Sequence, residues 1–448
     1  MGAIVTIENL ASALAAGRTT SRRLVEECLS AIDTAAEPQQ ATFLSVAREK
    51  ALAAADGIDR LRAAGTPPSR YAGIPISIKD LFDIEGEVSS AASRVLSDAA
   101  PATRDATAVA RLKAAGFIVM GRSNMTEFAF SGLGINPHFG TPAAPWDRNV
   151  PRIPGGSSSG AAVSVAAGMA YIGLGSDTGG SCRIPAALNG IVGYKPSKQR
   201  IPTEGAVPLS TSLDSVGPLA NSVRCCAIVD AVLSGEPLDR LDDYPLDGLR
   251  LGVPETLVLD GLEPAVARAF DAALAKLSVA GAKITRLPVP EFAQVPVINA
   301  KGGLTAAESY AWHRPLIEAK ADLYDPRVLL RIKRGAAQTA ADYIDLLAAR
   351  RSLIASFTQR MEAYDVLVMP TVPMIAPPIA DLDDEEAYTR VNLLLLRNPT
   401  FINMIDGCAI SIPCQAKGDA PVGLMLARPN GGDRRLFGIA LAVERLLG

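Results

Sequence analysis

The central stretch of the chain, residues 155–181, has the sequence GGSSSGAAVSVAAGMAYIGLGSDTGGS. Its apolar middle, residues 160–175, is rich in alanine and glycine, which predicts a buried helix followed by a strand. This apolar run is shorter than the roughly 20 residues that a membrane-spanning helix needs. The stretch therefore predicts a helix–strand unit inside a packed domain.

The same order of helix and strand recurs elsewhere in the chain. Residues 106–115 predict a helix that ends at a glycine, and residues 117–120 predict the strand that follows it. Short β-branched runs at 73–80 and 365–370 predict two more strands, the first with Lys79 at its C-terminal end. This alternation is typical of an α/β fold, in which helices cover both faces of a central sheet.

The chain contains no internal repeat and no clear linker, so a single domain over residues 1–448 is predicted. N-terminal helices are expected within 1–66 and a core that carries the unusual motifs within 67–225. Residues 300–362 predict a mainly helical segment. The polar, acidic stretch 381–392 predicts an excursion on the surface.

Composition and charge argue against several classes of protein. The 44 basic and 47 acidic side chains give a net charge of −3 without a basic patch, so no nucleic-acid partner is expected. The six cysteines have neither CxxC nor zinc-type spacing, so no metal site and a reduced, cytoplasmic location are expected. With no signal peptide and no apolar run of membrane length, no membrane association is expected.

The two glycine-rich ends of the central stretch allow three interpretations. The first is a phosphate-binding loop, which would need a GK[ST] tripeptide that does not follow here. A dinucleotide fingerprint begins at Gly173 and Gly175, but Thr178 stands where the third glycine of GxGxxG belongs. Nucleotide binding is therefore disfavoured.

The second interpretation is an α/β-hydrolase, because residues 156–160 match GxSxG with Ser158 as nucleophile. That chemistry needs a histidine base later in the chain. His138 precedes the motif, and His313 lies in a predicted helix beside Trp312. Both histidines are more simply interpreted as packing or surface residues.

The third interpretation is a serine hydrolase whose base is an unprotonated lysine, a known variant of the catalytic triad. Lys79, the serine run and the DTGGS segment occur in the order that such a site needs. The motifs resemble those of the amidase signature family, and the resemblance spans nearly the whole chain. They lie at residues 73–80, 121–129, 145–147, 155–160, 175–181, 183–186 and 193–196, with weaker matches at 370–373 and 421–424.

The resemblance implies one large domain with a mixed central sheet, and a catalytic triad of Ser181, Ser157 and Lys79. It also implies a cis peptide bond before Ser157. In this scheme Lys79 accepts a proton from Ser157, which takes one from Ser181, and Ser181 forms an acyl-enzyme. Lys79 must be neutral for this role, which burial favours because burial lowers a lysine pKa.

The resemblance implies further roles around the triad. Four backbone N–H groups would form the oxyanion hole: those of Thr178, Gly179, Gly180 and Ser181. Five residues would support the site: Ser158, Asp177, Arg183, Asn124 and Glu127. An ordinary capping or hydrogen-bonding role remains open for Asp177 and Glu127. Cys182 is expected to be a small buried residue rather than a nucleophile.

The substrate class is less determined by the sequence. Four apolar side chains are candidates for the pocket wall: Met125, Phe128, Phe130 and Leu133. Residues 300–362 are expected to form another wall, and the apolar run 393–396 stands where glutamine-hydrolysing relatives carry an acid. The expectation is a free-standing amidase, monomer or homodimer without cofactor, that hydrolyses a small amide, anilide or carbamate. The alternatives are the glutamine-hydrolysing A subunit of a tRNA-dependent amidotransferase and a urea- or biuret-type amidohydrolase.

Overall fold

A computed structural model describes residues 5–147, 149–237, 241 and 244–448, so residues 1–4 of the predicted N-terminal helical region lie outside it. Its strands are β1 Phe43–Val46, β2 Pro75–Lys79, β3 Ile118–Ser123, β4 Ile172–Asp177, β5 Val192–Lys195, β6 Ser215–Ala220, β7 Arg250–Pro254, β8 Lys283–Leu287, β9 Val366–Pro370, β10 Cys408–Pro413 and β11 Gly423–Arg428. Its α-helices are α1 Ile7–Ala15, α2 Ser21–Asp33, α3 Arg48–Ala63, α4 Thr107–Ala114, α5 Ser159–Ala166, α6 Arg183–Asn189, α7 Val223–Ser234, α8 Pro264–Val279, α9 Pro290–Ile298, α10 Gly303–Lys320, α11 Pro326–Lys333, α12 Ala340–Arg360, α13 Glu385–Met404 and α14 Asp433–Leu447.

The described strands form one mixed sheet in the order β1-β3-β2-β4-β6-β5-β10-β11-β9-β7-β8. Strand β2 lies between β3 and β4 and is parallel to both, whereas β4 is antiparallel to β6. Helices flank this sheet, which confirms the predicted single α/β domain. In the part of the chain that the structure describes, no helix has the length and hydropathy that a bilayer crossing requires.

The predicted elements around the motifs form where the sequence placed them. Thr20 caps the N-terminus of helix α2, and its side chain accepts a hydrogen bond from the backbone N–H of Arg23. The apolar stretch 160–175 forms the buried helix α5 and the first four residues of β4. Because β2 and β4 are parallel, Lys79 and Asp177 end their strands at the same edge of the sheet.

The predicted surface location of 381–392 holds for residues 381, 383–386, 389 and 390, which are exposed, but the last eight residues of the stretch belong to the 20-residue helix α13. Asp384 caps the helix, and the acidic residues 385 and 386 lie in its first turn, where the helix dipole favours negative charge. Tyr388 and Asn392 are buried, and Asn392 Oδ1 accepts hydrogen bonds from Gly132 N (2.8 Å) and Ser131 Oγ (2.9 Å). The stretch is therefore largely the start of a surface helix, and the polar Asn392 on its inner side satisfies buried groups.

Candidate active site

Lys79 lies at the C-terminal end of β2 and is fully buried. Its Nζ donates to the hydroxyls of Ser157 (2.7 Å), Ser176 (2.8 Å) and Ser158 (3.0 Å). Burial lowers the pKa of Lys79 to about 7, from an ordinary value of 10.5. A large fraction of this amine is therefore neutral at physiological pH, which is the form that can accept a proton.

The serine run enters the site through a cis peptide bond between Gly156 and Ser157, as predicted. Ser157 and Ser158 are fully buried immediately before α5. Ser158 N donates to the carbonyl oxygen of Ser181 (3.3 Å), so the serine run lies against the segment that carries Ser181. The structure thus brings Ser157, Ser158 and Lys79 into one hydroxyl cluster and places the backbone of Ser181 against it.

Ser176 is a member of this cluster to which the sequence analysis gave no role. It lies in β4, next to β2, and its hydroxyl is 2.8 Å from Lys79 Nζ, compared with 2.7 Å for that of Ser157. The signal that would have found it is the pairing of the two strands, because side chains at the same end of neighbouring parallel strands lie close together. The sequence motif alone does not contain that pairing.

Asp177 and Arg183 form a fully buried ion pair that braces residues 178–181, called the glycine loop below. Arg183 donates to both carboxylate oxygens of Asp177 (2.8 and 3.0 Å), and Asn403 Nδ2 donates to Oδ1 (2.9 Å). Although burial raises the pKa of Asp177, Arg183 and the hydrogen bonds outweigh it and hold that pKa well below its usual range. A buried carboxylate paired in this way gives the loop a fixed anchor.

The predicted oxyanion segment follows directly after Asp177. Gly180 N donates to Asp177 Oδ1 (2.8 Å), so this amide is engaged by the brace rather than turned toward a substrate. Gly180 has φ +126, and a methyl group on it would lie 2.6 Å from Pro399 Cβ, which explains why only glycine fits there. The N–H groups of Thr178, Gly179 and Ser181 are the remaining predicted donors.

Asn124 and Glu127 lie outside the hydroxyl cluster. Asn124 Nδ2 binds the carbonyl oxygens of Ala41 and Gly140 (both 2.9 Å), and its own backbone carbonyl oxygen accepts from Gly160 N (2.8 Å). It therefore fixes the first turn of α5, which contains Gly160. Glu127 is buried and accepts from Ser93 Oγ (2.7 Å) and Asp325 N (2.8 Å), and burial raises its pKa to about 7.

Comparison with known proteins agrees with this geometry. The amidase family model matches residues 23–437. The chain belongs to the amidase signature family. It is a hydrolase that acts on carbon–nitrogen bonds other than peptide bonds.

This amidase is similar along its whole length to proteins of different activity. It is 36% identical to 2-amino-5-chloromuconic acid deaminase of Comamonas testosteroni, over 97% of this chain and 95% of that one. It is 35% identical to the A subunit of glutamyl-tRNA(Gln) amidotransferase from Roseiflexus sp. (strain RS-1), over 99% and 96%. A crystal structure of an amidase has a TM-score of 0.88 at 30% identity and covers 99% of this chain and 100% of that one.

The α/β-hydrolase interpretation needs a histidine hydrogen-bonded to the hydroxyl of Ser158, and neither histidine of the amidase makes that contact. His313 is fully buried, bonds Tyr324 OH through Nδ1 (2.9 Å) and packs against Phe128. Burial lowers the pKa of His313 to about 3, so it stays neutral. His138 Nε2 lies 3.4 Å from Glu127 Oε1, and the hydroxyl of Ser158 contacts Lys79 instead.

Three of the four predicted pocket residues are in the core of the amidase. Met125 and Leu133 are fully buried and Phe128 is 2% exposed, whereas Phe130 is partly exposed. Apolar side chains at such spacing fit a core as well as a pocket, and residue type does not separate the two. Burial therefore does not place the first three on an open pocket wall.

A cavity of about 250 Å³ lies beside the hydroxyl cluster of the amidase. Its lining includes Leu81, Ala129, Ser176 and Thr178, and the loop 203–216 closes its other side. A larger groove of about 740 Å³ lies along α3 and β3 and includes none of the cluster residues. In the described ranges, no three acidic, histidine or cysteine side chains come together as a metal site would need.

Proposed function

We propose that this protein is a free-standing amidase that hydrolyses the C–N bond of a small amide, anilide or carbamate through an acyl-enzyme on Ser181. The observation that carries the proposal is the buried Lys79. Its Nζ donates to the hydroxyls of three serines, and burial lowers its pKa to about 7. A neutral amine in a chain of hydroxyls is the arrangement that a serine–lysine hydrolase needs.

In the proposed chemistry, the proton relay first removes a proton from Ser181 and later delivers one to the leaving nitrogen of the substrate. Lys79 takes a proton from Ser157, Ser157 takes one from Ser181, and Ser181 Oγ bonds to the carbonyl carbon of the substrate. The N–H groups of Thr178, Gly179 and Ser181 stabilise the oxyanion. The relay then protonates the leaving nitrogen as the C–N bond breaks, since an unprotonated amine leaves poorly. A water molecule finally hydrolyses the acyl-enzyme and releases the acid.

An apolar substrate is supported by the surroundings of the glycine loop. Leu396 of α13 packs near this loop: a methyl group on Gly179 would lie 3.5 Å from Leu396 Cδ2 and 3.3 Å from Thr400 Oγ1. An apolar side chain offers no partner to the charged groups of a free amino acid such as glutamine, and an unpaired charge is costly to bury. This favours an uncharged amide, anilide or carbamate over glutamine.

The main alternative is a glutamine-hydrolysing component of an amidotransferase. The full-length similarity to the A subunit of glutamyl-tRNA(Gln) amidotransferase supports it. The resemblance of equal extent to a deaminase of a small acid supports a free-standing enzyme.

We further propose that the protein is a monomer or homodimer. We also propose a reducing, cytoplasmic setting, which the six free cysteines support.

The proposal is tested with the purified protein alone on 4-nitroacetanilide and ethyl N-(4-nitrophenyl)carbamate. Both substrates release 4-nitroaniline, so the two rates compare amide with carbamate at a constant leaving group. Glutamine is assayed in parallel by ammonia release, and Ser181→Ala is the background control. Glutamine hydrolysis without aryl turnover, or activity only after a partner protein is added, would replace the proposal with the amidotransferase component.

The pH dependence follows from Lys79. Since the neutral amine is the active form, kcat/KM is expected to rise as pH increases through about 7 and to level off above it. Glu127 has a pKa of about 7 as well, but its carboxylate binds Ser93 and Asp325 rather than Lys79. Glu127→Gln is therefore the control, and it should keep the inflection. An inflection that disappears in this variant would assign the titration to Glu127.

A further inference from the structure

The loop between β5 and β6 is hydrogen-bonded to the predicted oxyanion segment. Asp214 Oδ1 accepts from Thr178 Oγ1 (2.6 Å), and both carboxylate oxygens of Asp214 also accept from Ser210 N (3.1 Å each). One residue later, Ser215 Oγ donates to the carbonyl oxygen of Asp177 (2.8 Å). The position of Thr178 therefore depends on the conformation of residues 209–215.

Two side chains hold this loop further: Lys198, whose Nζ donates to the carbonyl oxygens of Thr211 (2.7 Å) and Asp214 (2.8 Å), and a carboxylate from another part of the fold. Glu308 of α10 accepts from Ser212 Oγ (2.5 Å), Ser210 Oγ (2.7 Å), Ser212 N (2.9 Å) and Thr211 Oγ1 (3.3 Å). Tyr343 OH of α12 donates to the same carboxylate (2.8 Å). Glu308 thus joins two helices of the segment 300–362 to the loop that closes the cavity.

The protonation state of Glu308 follows from these partners. Burial raises its pKa, but the hydrogen bonds from Ser212, Ser210 and Tyr343 outweigh burial and lower the pKa below its ordinary value. The group is therefore an anion at neutral pH and uses both oxygens as acceptors.

We propose that Glu308 is a positioning residue for the oxyanion hole. Its carboxylate fixes residues 210–212, these residues fix Asp214, and Asp214 fixes Thr178, whose N–H is one of the proposed oxyanion donors. The inference rests on the proposed function, in that Ser181 is the nucleophile served by that donor. Displacing a catalytic donor by about 1 Å costs about 100-fold in rate, so a distant contact of this kind affects chemistry.

Methionine is the informative replacement for Glu308, because its unbranched side chain has a similar length and its thioether is only a weak acceptor. Glutamine would not test the inference. Its amide oxygen can take the position of Oε2, which accepts from Ser212 N, and its NH₂ group can donate to the two hydroxyls at Oε1. Glu308→Met is therefore expected to release the loop, whereas Tyr343→Phe, which removes one donor, is expected to have a small effect.

The test is the second-order rate at which a fluorophosphonate probe labels Ser181. In this reaction Ser181 Oγ bonds to phosphorus and fluoride leaves, so the rate depends on the oxyanion hole without knowledge of the true substrate. The variants are Glu308→Met, Thr178→Val, which removes the hydroxyl bound to Asp214 at nearly constant shape, and the double variant. Glu318→Met, at an exposed position of the same helix, is the matched control.

Glu308→Met and Thr178→Val are each expected to slow labelling by about 10-fold or more, and Glu318→Met to leave it unchanged. If Glu308 acts through Thr178, the double variant is no slower than the slower single variant, because both changes break one chain of contacts. Wild-type labelling in Glu308→Met, or a double variant whose loss is the product of the single losses, would overturn the inference.

Two further measurements separate stability and function from positioning. Melting temperatures identify a variant that is merely unfolded. In that case Ser212→Ala, which removes one donor to Glu308, replaces Glu308→Met and should show the same coupling to Thr178→Val at a smaller loss. A wild-type enzyme that is labelled but hydrolyses none of the amides contradicts the proposed function and leaves the inference standing. Failure of Ser181 to react at all overturns both.

Discussion

Ser181→Ala is expected to abolish hydrolysis of every substrate while leaving the fold intact. Ser181 is 3% exposed, so alanine removes a nucleophilic hydroxyl from a buried site without introducing bulk. Loss of the nucleophile removes the acyl-enzyme route, and we expect a fall in kcat of about 10⁴-fold or more. The measurement is release of 4-nitroaniline from the two aryl substrates at enzyme concentrations high enough to detect that residual rate.

Two controls decide how this result is understood. Ser352→Ala, at an exposed position in α12, should retain wild-type turnover, and a melting curve should show that Ser181→Ala is folded. Mass spectrometry after fluorophosphonate treatment should find the label on Ser181 in the wild type and nowhere in the variant. Substantial turnover by a folded Ser181→Ala enzyme would mean that another residue, such as Ser158, is the nucleophile.

The sequence alone predicted those elements whose local residue pattern also suits their position in the folded domain. The run at 73–80 is β-branched and apolar because both faces of β2 are covered, and Pro75–Lys79 is buried throughout. The concentration of glycine in residues 155–181 has a similar cause, since Gly180 needs a positive φ and has no space for a side chain. Such constraints act on one residue at a time and are visible in the sequence.

Other features depend on contacts between distant segments and were not predictable in the same way. The acidic residues near 385 resemble a solvated loop, yet buried Asn392 receives two hydrogen bonds from a segment about 260 residues away. The cavity wall at 203–216 and the five donors of Glu308 are likewise set by tertiary contact. Met125 and Leu133 show the converse, because a core residue and a pocket residue share the same apolar chemistry.

Lys79→Met is expected to reduce kcat by orders of magnitude, about 10³-fold or more, since the base of the relay is removed. Methionine has nearly the volume of the buried lysine and leaves no cavity, and Ser158 Oγ keeps its hydrogen bond to the carbonyl oxygen of Ser176 (3.2 Å). Lys79→Arg should be equally inactive, because a guanidinium keeps donors in the site but does not lose a proton. The measurement is kcat for 4-nitroaniline release as a function of pH.

Lys195 provides the matched control, because it is also a buried lysine with a lowered pKa, of about 8. Its Nζ, however, donates to the carbonyl oxygens of Pro196 (2.7 Å) and Gly407 (2.6 Å), which only accept hydrogen bonds and cannot pass on a proton. Lys195→Met is therefore expected to lower the melting temperature and to retain most of kcat in the folded fraction. If instead Lys79→Met kept more than about a tenth of the wild-type kcat, proton transfer would not run through Lys79, since loss of a general base costs at least about 100-fold.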